Sequence, residues 1–213
     1  MYATDELVGI RPSRTYKFLI ITTPVGHYYS EPVNVKIEKS YTRAASGGVG
    51  RAKAAGNYAA SMYPAMQAQK EGFHQLVWTD AAEHKYIEES GTMNIVFQIG
   101  DKLITPDENH DTILRGITKR SVFEIAEKWG VEVEERMITV AEIIEAAKNG
   151  SLKDAFGAGT AATIAPIAMI GYEGDKFILP PVEERLLSNK IKKYLGDLKT
   201  GRIADEFGWN LLV

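Results

Sequence analysis

Chemistry in this 213-residue chain gathers first at Gly47-Gly48-Val49-Gly50-Arg51-Ala52-Lys53-Ala54-Ala55-Gly56-Asn57-Tyr58. Gly47, Gly48 and Gly50 crowd one turn, so the backbone there can bend sharply or come close to a ligand. Lys53 follows among alanines. An amine with small, uncharged neighbours is a candidate for desolvation, which lowers its pKa and makes it nucleophilic. Tyr58 places a phenol five residues further on. The spacing differs from the Walker phosphate loop, and no Ser or Thr follows the lysine. On residue types alone, a glycine turn before a helix with a solvated lysine describes the stretch as well.

Three further segments could meet the same ligand. Leu114-Arg115-Gly116-Ile117-Thr118 reads as a helix start, with free backbone N–H groups and the positive end of a helix dipole, a ready anion site. Ala155-Phe156-Gly157-Ala158-Gly159-Thr160 reads as a second glycine turn, offering N–H and hydroxyl donors. Glu88-Glu89-Ser90-Gly91-Thr92-Met93-Asn94 puts two carboxylates just before a strand. Adjacent residues entering a strand point to opposite sides, so only one carboxylate can face a given ligand. An amine, a phosphate cradle and a carboxylate for a ring nitrogen are the protein parts that pyridoxal phosphate needs. Taken singly, the two glutamates also fit a solvated loop and Thr118 an ordinary helix-start hydroxyl.

These parts must be positioned by a fold of ordinary composition. Hydrophobic residues make 45% and charged ones 25%, as in soluble globular proteins. A formal charge of −3 argues against a nucleic-acid partner. The absence of cysteine excludes disulfides, thiolate catalysis and cysteine metal sites, so no metal is expected, and it suits a reducing cytoplasm. The N-terminus shows no secretory signal pattern. The longest uncharged stretch, 157–172, is too short and too broken by Pro and Gly to span a membrane.

The β-branched, aromatic run 15–23 predicts a buried strand, and the alternation over 32–37 a half-exposed one. A helix is expected over 58–71 with a local kink at Pro64, then a short strand at 75–79 and a polar segment to Ser90. Strands at 93–99 and 102–104 flank Gly100-Asp101, a hairpin signal. A helix over 118–129 closes at Gly130, and a strand over 131–137 follows. Thr139 should cap a helix over 140–148, with Glu142 completing a capping box. An apolar segment over 163–170, a turn at Gly174-Asp175 and an amphipathic surface helix over 182–198 end the regular structure. No internal repeat or linker divides the chain.

Taken in order, the strings around Lys53 to Tyr58, Glu89-Ser90-Gly91-Thr92-Met93-Asn94, Leu114-Arg115-Gly116-Ile117-Thr118 and Phe156-Gly157-Ala158-Gly159-Thr160-Ala161 resemble the branched-chain amino-acid aminotransferases of pyridoxal-phosphate fold type IV. The resemblance covers essentially the whole chain. It implies a mixed α/β (α+β) fold, a twisted, largely antiparallel sheet or pseudo-barrel with flanking helices. It implies pyridoxal 5'-phosphate as cofactor and transamination of Leu, Ile and Val with 2-oxoglutarate, in a cytoplasmic homodimer handling amino acids and 2-oxo acids, without nucleic acid or membrane. Lys53 would be the catalytic Schiff-base lysine and proton shuttle. Glu89 would pair with the pyridine nitrogen, Tyr58 with the ring oxygen O3′, and Leu114 would pack on one ring face. Gly116, the N–H groups of Ile117 and Thr118, and the Thr160 hydroxyl would hold the phosphate, with Arg43 nearby. Thr92, Thr160 and Ala161 would meet the substrate.

The chain departs from the family pattern at three places. Arg115 stands where the family has Pro. The positions of a Cys-x-x-Cys found in some animal members are Ala162 and Ala165. The family's small domain would precede this chain, so residues 1–14 would be its remnant and the interdomain connection, and 15–213 the large cofactor-binding domain. On that reading the chain alone binds cofactor weakly and turns substrate over poorly. A D-amino-acid transaminase, an aminodeoxychorismate lyase and a non-catalytic cofactor-binding fragment stand as alternatives.

Overall fold

In the computed structural model, which describes residues 1–24 and 29–211, one sheet dominates. Its strands are β3 (Val33–Ile37), β4 (Gln75–Thr79), β5 (Ile87–Ser90), β6 (Met93–Ile99), β7 (Lys102–Thr105), β8 (Val133–Glu135), β9 (Leu152–Gly159), β10 (Thr163–Tyr172) and β11 (Asp175–Ile178). β10 pairs with β3, β3 with β4, β4 with β5, β5 with β6, β6 with β9 and β9 with β10 again. That ring of pairings closes a barrel, with β7, β8 and β11 outside it. Only β10–β3, β3–β4 and β7–β8 are parallel, so the sheet is largely antiparallel as expected. A separate ribbon pairs β1 (Tyr2–Ala3) with β2 (Tyr16–Lys17).

Among the described residues, four helices flank the barrel: α1 (Ala55–Lys70), α2 (Ile117–Lys128), α3 (Val140–Lys148) and α4 (Leu186–Lys199). Strand alternation sorts the core. Val33, Val35 and Ile37 of β3 join Ile95 and Phe97 of β6 in one cluster, into which α3 sends Ile143 and Ile144. Val96, on the opposite face of β6, joins Phe156 and the apolar stripes of α2 and α4, including Val122, Ile125, Ile191 and Leu195. α1 packs on β4 through a third cluster around Ala68, Leu76 and Trp78. No helix among the described residues is long and apolar enough to cross a membrane.

Several expectations need correction. The run 15–23 is not a buried strand. Beyond Tyr16–Lys17 it carries no strand, and Phe18, Leu19, Ile20 and Ile21 are all exposed. Its residue types suit a strand, but among the described residues only Tyr2–Ala3 offers it a partner. The polar segment before Ser90 contains a fully buried strand, β5, because Glu88 and Glu89 stand in the barrel wall. The second glycine turn lies inside β9 instead, and the chain turns at residues 160–162. Its glycines serve close packing: a Cβ on Gly157 would lie 2.5 Å from Met93 Cε. The strand expected over 131–137 is confined to Val133–Glu135. The helix over 182–198 is a 3-10 turn, Val182–Glu184, followed by α4. Thr139 does cap α3, its Oγ1 accepting from Glu142 N at 3.1 Å. The Glu142 side chain, however, pairs with Arg136 instead of closing a capping box.

α4 is anchored by charge in the core. Arg185 Nη1 donates to Asp154 Oδ1 at 2.9 Å, with both side chains 1% exposed. Burial pushes the Asp154 carboxyl up, against the Ser188 hydroxyl and the Arg185 charge. Removing one partner strands a buried charge, so Arg185→Met should cost about 3–5 kcal/mol. Adding Asp154→Leu to that variant should recover most of the loss. Urea unfolding midpoints of both variants check this; a double variant no more stable than the single one would reject the pairing account.

Candidate active site

The glycine stretch ahead of α1 is held from three directions. Asp111 Oδ2 accepts from Gly47 N at 2.6 Å, and the Asp111 carbonyl accepts from Arg51 N at 2.8 Å. Asn57 Nδ2 donates to the carbonyls of Val49 (2.8 Å) and Ala52 (2.7 Å), closing the loop onto the first turn of α1. Gly50 allows the closest approach: a Cβ there would lie 2.7 Å from Thr112 Cα and 2.6 Å from Ala44 Cβ. Lys53 leaves this loop with its Nζ donating to Tyr58 Oη at 3.0 Å. The five-residue spacing thus brings amine and phenol together. The expected desolvation of the amine is not found: Lys53 is exposed, because the alanines beside it are too short to cover it.

β5 supplies the carboxylate. Glu89 points into the same cavity as Lys53 and Tyr58, while Glu88 lines a different one. Glu89 Oε1 accepts from Leu114 N at 2.7 Å, and its Oε2 lies 3.3 Å from Arg43 Nε. Arg43 also donates through Nη2 to the Thr112 carbonyl. Arg43 comes from a turn set by Glu38, whose Oε1 accepts from the backbone N–H groups of Lys39, Ser40 and Tyr41. Expected beside a phosphate, Arg43 stands here against Glu89. Burial pushes Glu89 up to about 7; the Arg43 charge and the Leu114 N–H oppose that rise without cancelling it.

The cavity holding these groups measures about 630 Å3 and is lined by Lys53, Tyr58, Glu89, Thr92, Leu114, the 115–118 segment and the 158–162 turn. α2 aims its N-terminus at it. Gly116 is the N-cap, with no side-chain cap among the described residues, and the first turn carries no acidic residue. Its first N–H groups therefore remain available to an anion. Gly116 also lets Asn94 pass, since a Cβ there would lie 1.8 Å from Asn94 Oδ1. Asn94 Nδ2 donates to the Leu114 carbonyl at 2.8 Å and so fixes the approach to the helix. One residue past Thr118, Lys119 is fully buried and forms ion pairs with Glu108 (2.8 Å) and Glu135 (3.3 Å).

An uncapped helix start, an amine paired with a phenol and a buried carboxylate on one cavity fit a phosphorylated pyridine aldehyde. The structure brings Lys53, Tyr58, Glu89, Thr92, Leu114, Gly116, Ile117, Thr118, Thr160 and Ala161 to that cavity, with Arg43 on its inner recess. The supporting roles of Asp111, Asn57, Asn94 and Lys119 were missed in the sequence. Asn57, inside the Gly-Asn-Tyr string, carried a signal; Asp111 and Lys119 carried none, because their partners are distant in the chain.

The sequence signature of the family described as amino-transferase class IV matches residues 3–170. Branched-chain-amino-acid aminotransferase 2 of Bacillus subtilis (strain 168) is 43% identical over 210 residues, 97% of this chain and 58% of its own length. A probable branched-chain-amino-acid aminotransferase of Staphylococcus aureus (strain MRSA252) is 41% identical over 100% of this chain and 60% of its own. The solved branched-chain aminotransferase of Thermoproteus uzoniensis with norvaline superposes with a TM-score of 0.71 at 28% identity, over 88% of this chain and 58% of that one. The Escherichia coli branched-chain amino acid aminotransferase gives 0.71 at 26% identity, over 88% and 59%. The chain thus spans 58–60% of the length of these curated relatives.

A carboxyl with a raised folded-state value keeps its proton better folded than unfolded. The stability it contributes is full below its ordinary value of 4.5 and is lost as pH rises towards about 7. At ~1.36 kcal/mol per unit the loss for Glu89 is on the order of 3 kcal/mol. Glu89→Gln should flatten the stability profile across that window. Urea midpoints near pH 4 and pH 7.5 (about one half-unit beyond either end) test it; an unchanged slope would reject the assignment.

Proposed function

The chain belongs to the class IV aminotransferases, and from that premise we propose that it is the cofactor-binding part of a branched-chain amino-acid transaminase. The reaction moves the amino group of leucine, isoleucine or valine to 2-oxoglutarate. The observation that carries the reading is the Lys53–Tyr58 pair sharing one cavity with the buried Glu89. The relatives, at 37–43% identity, bear branched-chain names. That favours this substrate class over D-amino acids or aminodeoxychorismate.

Pyridoxal phosphate, when bound, supplies a carbonyl for amino groups and a conjugated ring that takes up the electron pair of a broken Cα–H bond. The chain's residues do the rest. Lys53 Nζ would hold the cofactor covalently and would be the base that moves the proton of the substrate Cα. Tyr58 Oη, 3.0 Å from that amine, orients it and would bond the ring oxygen. Glu89 would pair with the ring nitrogen. A cation there favours the ionised carboxylate, so a group at about 7 is poised to hold a proton between the two. Arg43 steadies the charge of Glu89. The Ile117 and Thr118 N–H groups and the Thr160 hydroxyl would hold the phosphate, with Gly116 giving the backbone room. Leu114 would support one ring face, Thr160 and Ala161 would receive the substrate carboxylate, and Thr92 would meet the substrate. Residues 1–14 belong, on this reading, to the connection with a smaller domain. A cytoplasmic homodimer completes it: the absence of cysteine suits a reducing compartment, and Met62, Tyr63 and Met66 on α1 offer exposed apolar surface.

Borohydride reduction in the presence of pyridoxal phosphate should attach the cofactor to Lys53, and Lys53→Ala should abolish both the label and glutamate formation from leucine and 2-oxoglutarate. Glu89→Gln should lower kcat by about 10²–10³, the scale of one preorganised electrostatic contact, while Glu88→Gln should do far less. Label on another lysine, or equal losses at the two glutamates, would overturn the assignments. A panel of L- and D-amino acids and aminodeoxychorismate separates the substrate classes.

A further inference from the structure

Behind the β5 wall lies a second cavity, of about 200 Å3. Its sides are largely apolar: Tyr86, Pro106, Ile113 and Met137. Its polar groups differ in one respect. Asp80 already accepts from the backbone N–H groups of Ala82, Glu83, Lys85 and Tyr86. Asp107 accepts from Asn109, and Asp111 from Gly47 N. Glu88 has no backbone N–H donor of this kind among the described residues; the Thr112 hydroxyl is its neighbour. Glu88 is 7% exposed, lines the cavity, and its Oε2 has no hydrogen-bond donor among the described residues. The buried Thr112 hydroxyl beside it can serve one carboxylate oxygen at most, which leaves the other open. Burial pushes the Glu88 carboxyl up, opposed by Thr112, Arg43 and His110.

A buried carboxylate with one oxygen left without a donor is costly, and the cost is relieved by a ligand that brings N–H groups and positive charge. Apolar sides next to it select a hydrocarbon body. The volume is below the ~300–1,000 Å3 usual for drug-sized ligands, so the ligand is small. We propose that this cavity is a binding site, distinct from the Lys53 site, for a small organic cation of the amidinium or alkylammonium class, with its N–H groups on Glu88. An amidinium can place two parallel N–H bonds on one carboxylate. The site touches the glycine loop, since Asp111 grips Gly47 and the Thr112 carbonyl takes Arg43. This inference does not depend on the transaminase reading.

The probe is benzamidinium, which unlike a primary amine does not condense with a bound aldehyde; neutral benzamide is its control. Calorimetry and amide NMR on the full chain with pyridoxal phosphate give the readouts. Benzamidinium should bind with shifts centred on Ala82, Thr112 and Met137. Benzamide, and benzamidinium on Glu88→Gln, should bind at least about tenfold more weakly, the size of one charge-assisted hydrogen bond. Ala81→Trp, at the exposed rim, should block the cavity without touching the core, which covers a Glu88→Gln variant that folds poorly. No binding by natively folded chain, equal affinity for benzamide, or shifts centred on the Lys53 cavity would each overturn the proposal.

Discussion

The burial of one carboxylate, Glu89, in the wall of a β-barrel governs the arrangement around it. A carboxylate removed from water needs charge and hydrogen bonds in return. Here they come from two places distant in the chain: the Arg43 guanidinium and the Leu114 N–H. Each has its own support. Arg43 is aimed by a turn wound on Glu38 and held by the Thr112 carbonyl, while Leu114 is fixed by Asn94 from the adjacent strand β6. Glu89 and Asn94 are register partners across the β5–β6 hairpin, so one pairing sets both the carboxylate and the donor that answers it. Sheet register is therefore a determinant of the site's electrostatics, and a slip of one residue would put Glu88 in the place of Glu89.

The helix that faces this carboxylate is positioned by a different device. An N-terminus left uncapped is useful to an anion only if it cannot shift. Lys119 supplies that constraint. It sits in the first turn of α2 with no exposure, tied to Glu108 in the preceding loop and Glu135 on β8. A buried cation is thus tied to two carboxylates nearer the surface, and their geometry fixes the helix start relative to the sheet edge. The apolar stripe of α2, through Val122, Ile125 and Ala126, seats the rest of the helix against Phe156 of β9. Because β9 runs on to the 160–162 turn, the same packing sets the distance between the helix start and that turn.

Much of this was legible in the sequence wherever the signal was local. The hairpin at Gly100, the Thr139 cap and the helix stops at Gly130 and Gly150 follow from turn and cap chemistry, and their glycines do adopt positive φ. The strings around Lys53, Glu89 and Gly116 marked the site because the chemistry needs those residue types close together. What could not be read was long-range. Residues 87–90 look like a polar loop until Arg43 is brought to them across more than forty positions of chain. Residues 18–21 look like a core strand, but a strand is defined by its partner, and residue types do not disclose whether one exists. Gly157 and Gly159 look like turn residues, yet serve to admit the Met93 side chain against β9.

The last step concerns the two faces of β5. Glu88 and Glu89 are chemically identical neighbours, and both carboxyls are pushed up by burial. Alternation along the strand sends them to opposite sides of the wall, and there the likeness ends. On one side the chain supplies an arginine and a backbone N–H; on the other it supplies apolar side chains, a single hydroxyl and aspartates already committed to their own turns. The wall between them is one residue thick, and Arg43 acts on both carboxyls through its charge. Any cation that settles on Glu88 therefore lowers the cost of ionising Glu89 as well, because removing negative repulsion between neighbours favours the charged form of each. The physical coupling between the two cavities needs no moving part: it is carried by the charge of two adjacent side chains in a strand whose register is fixed.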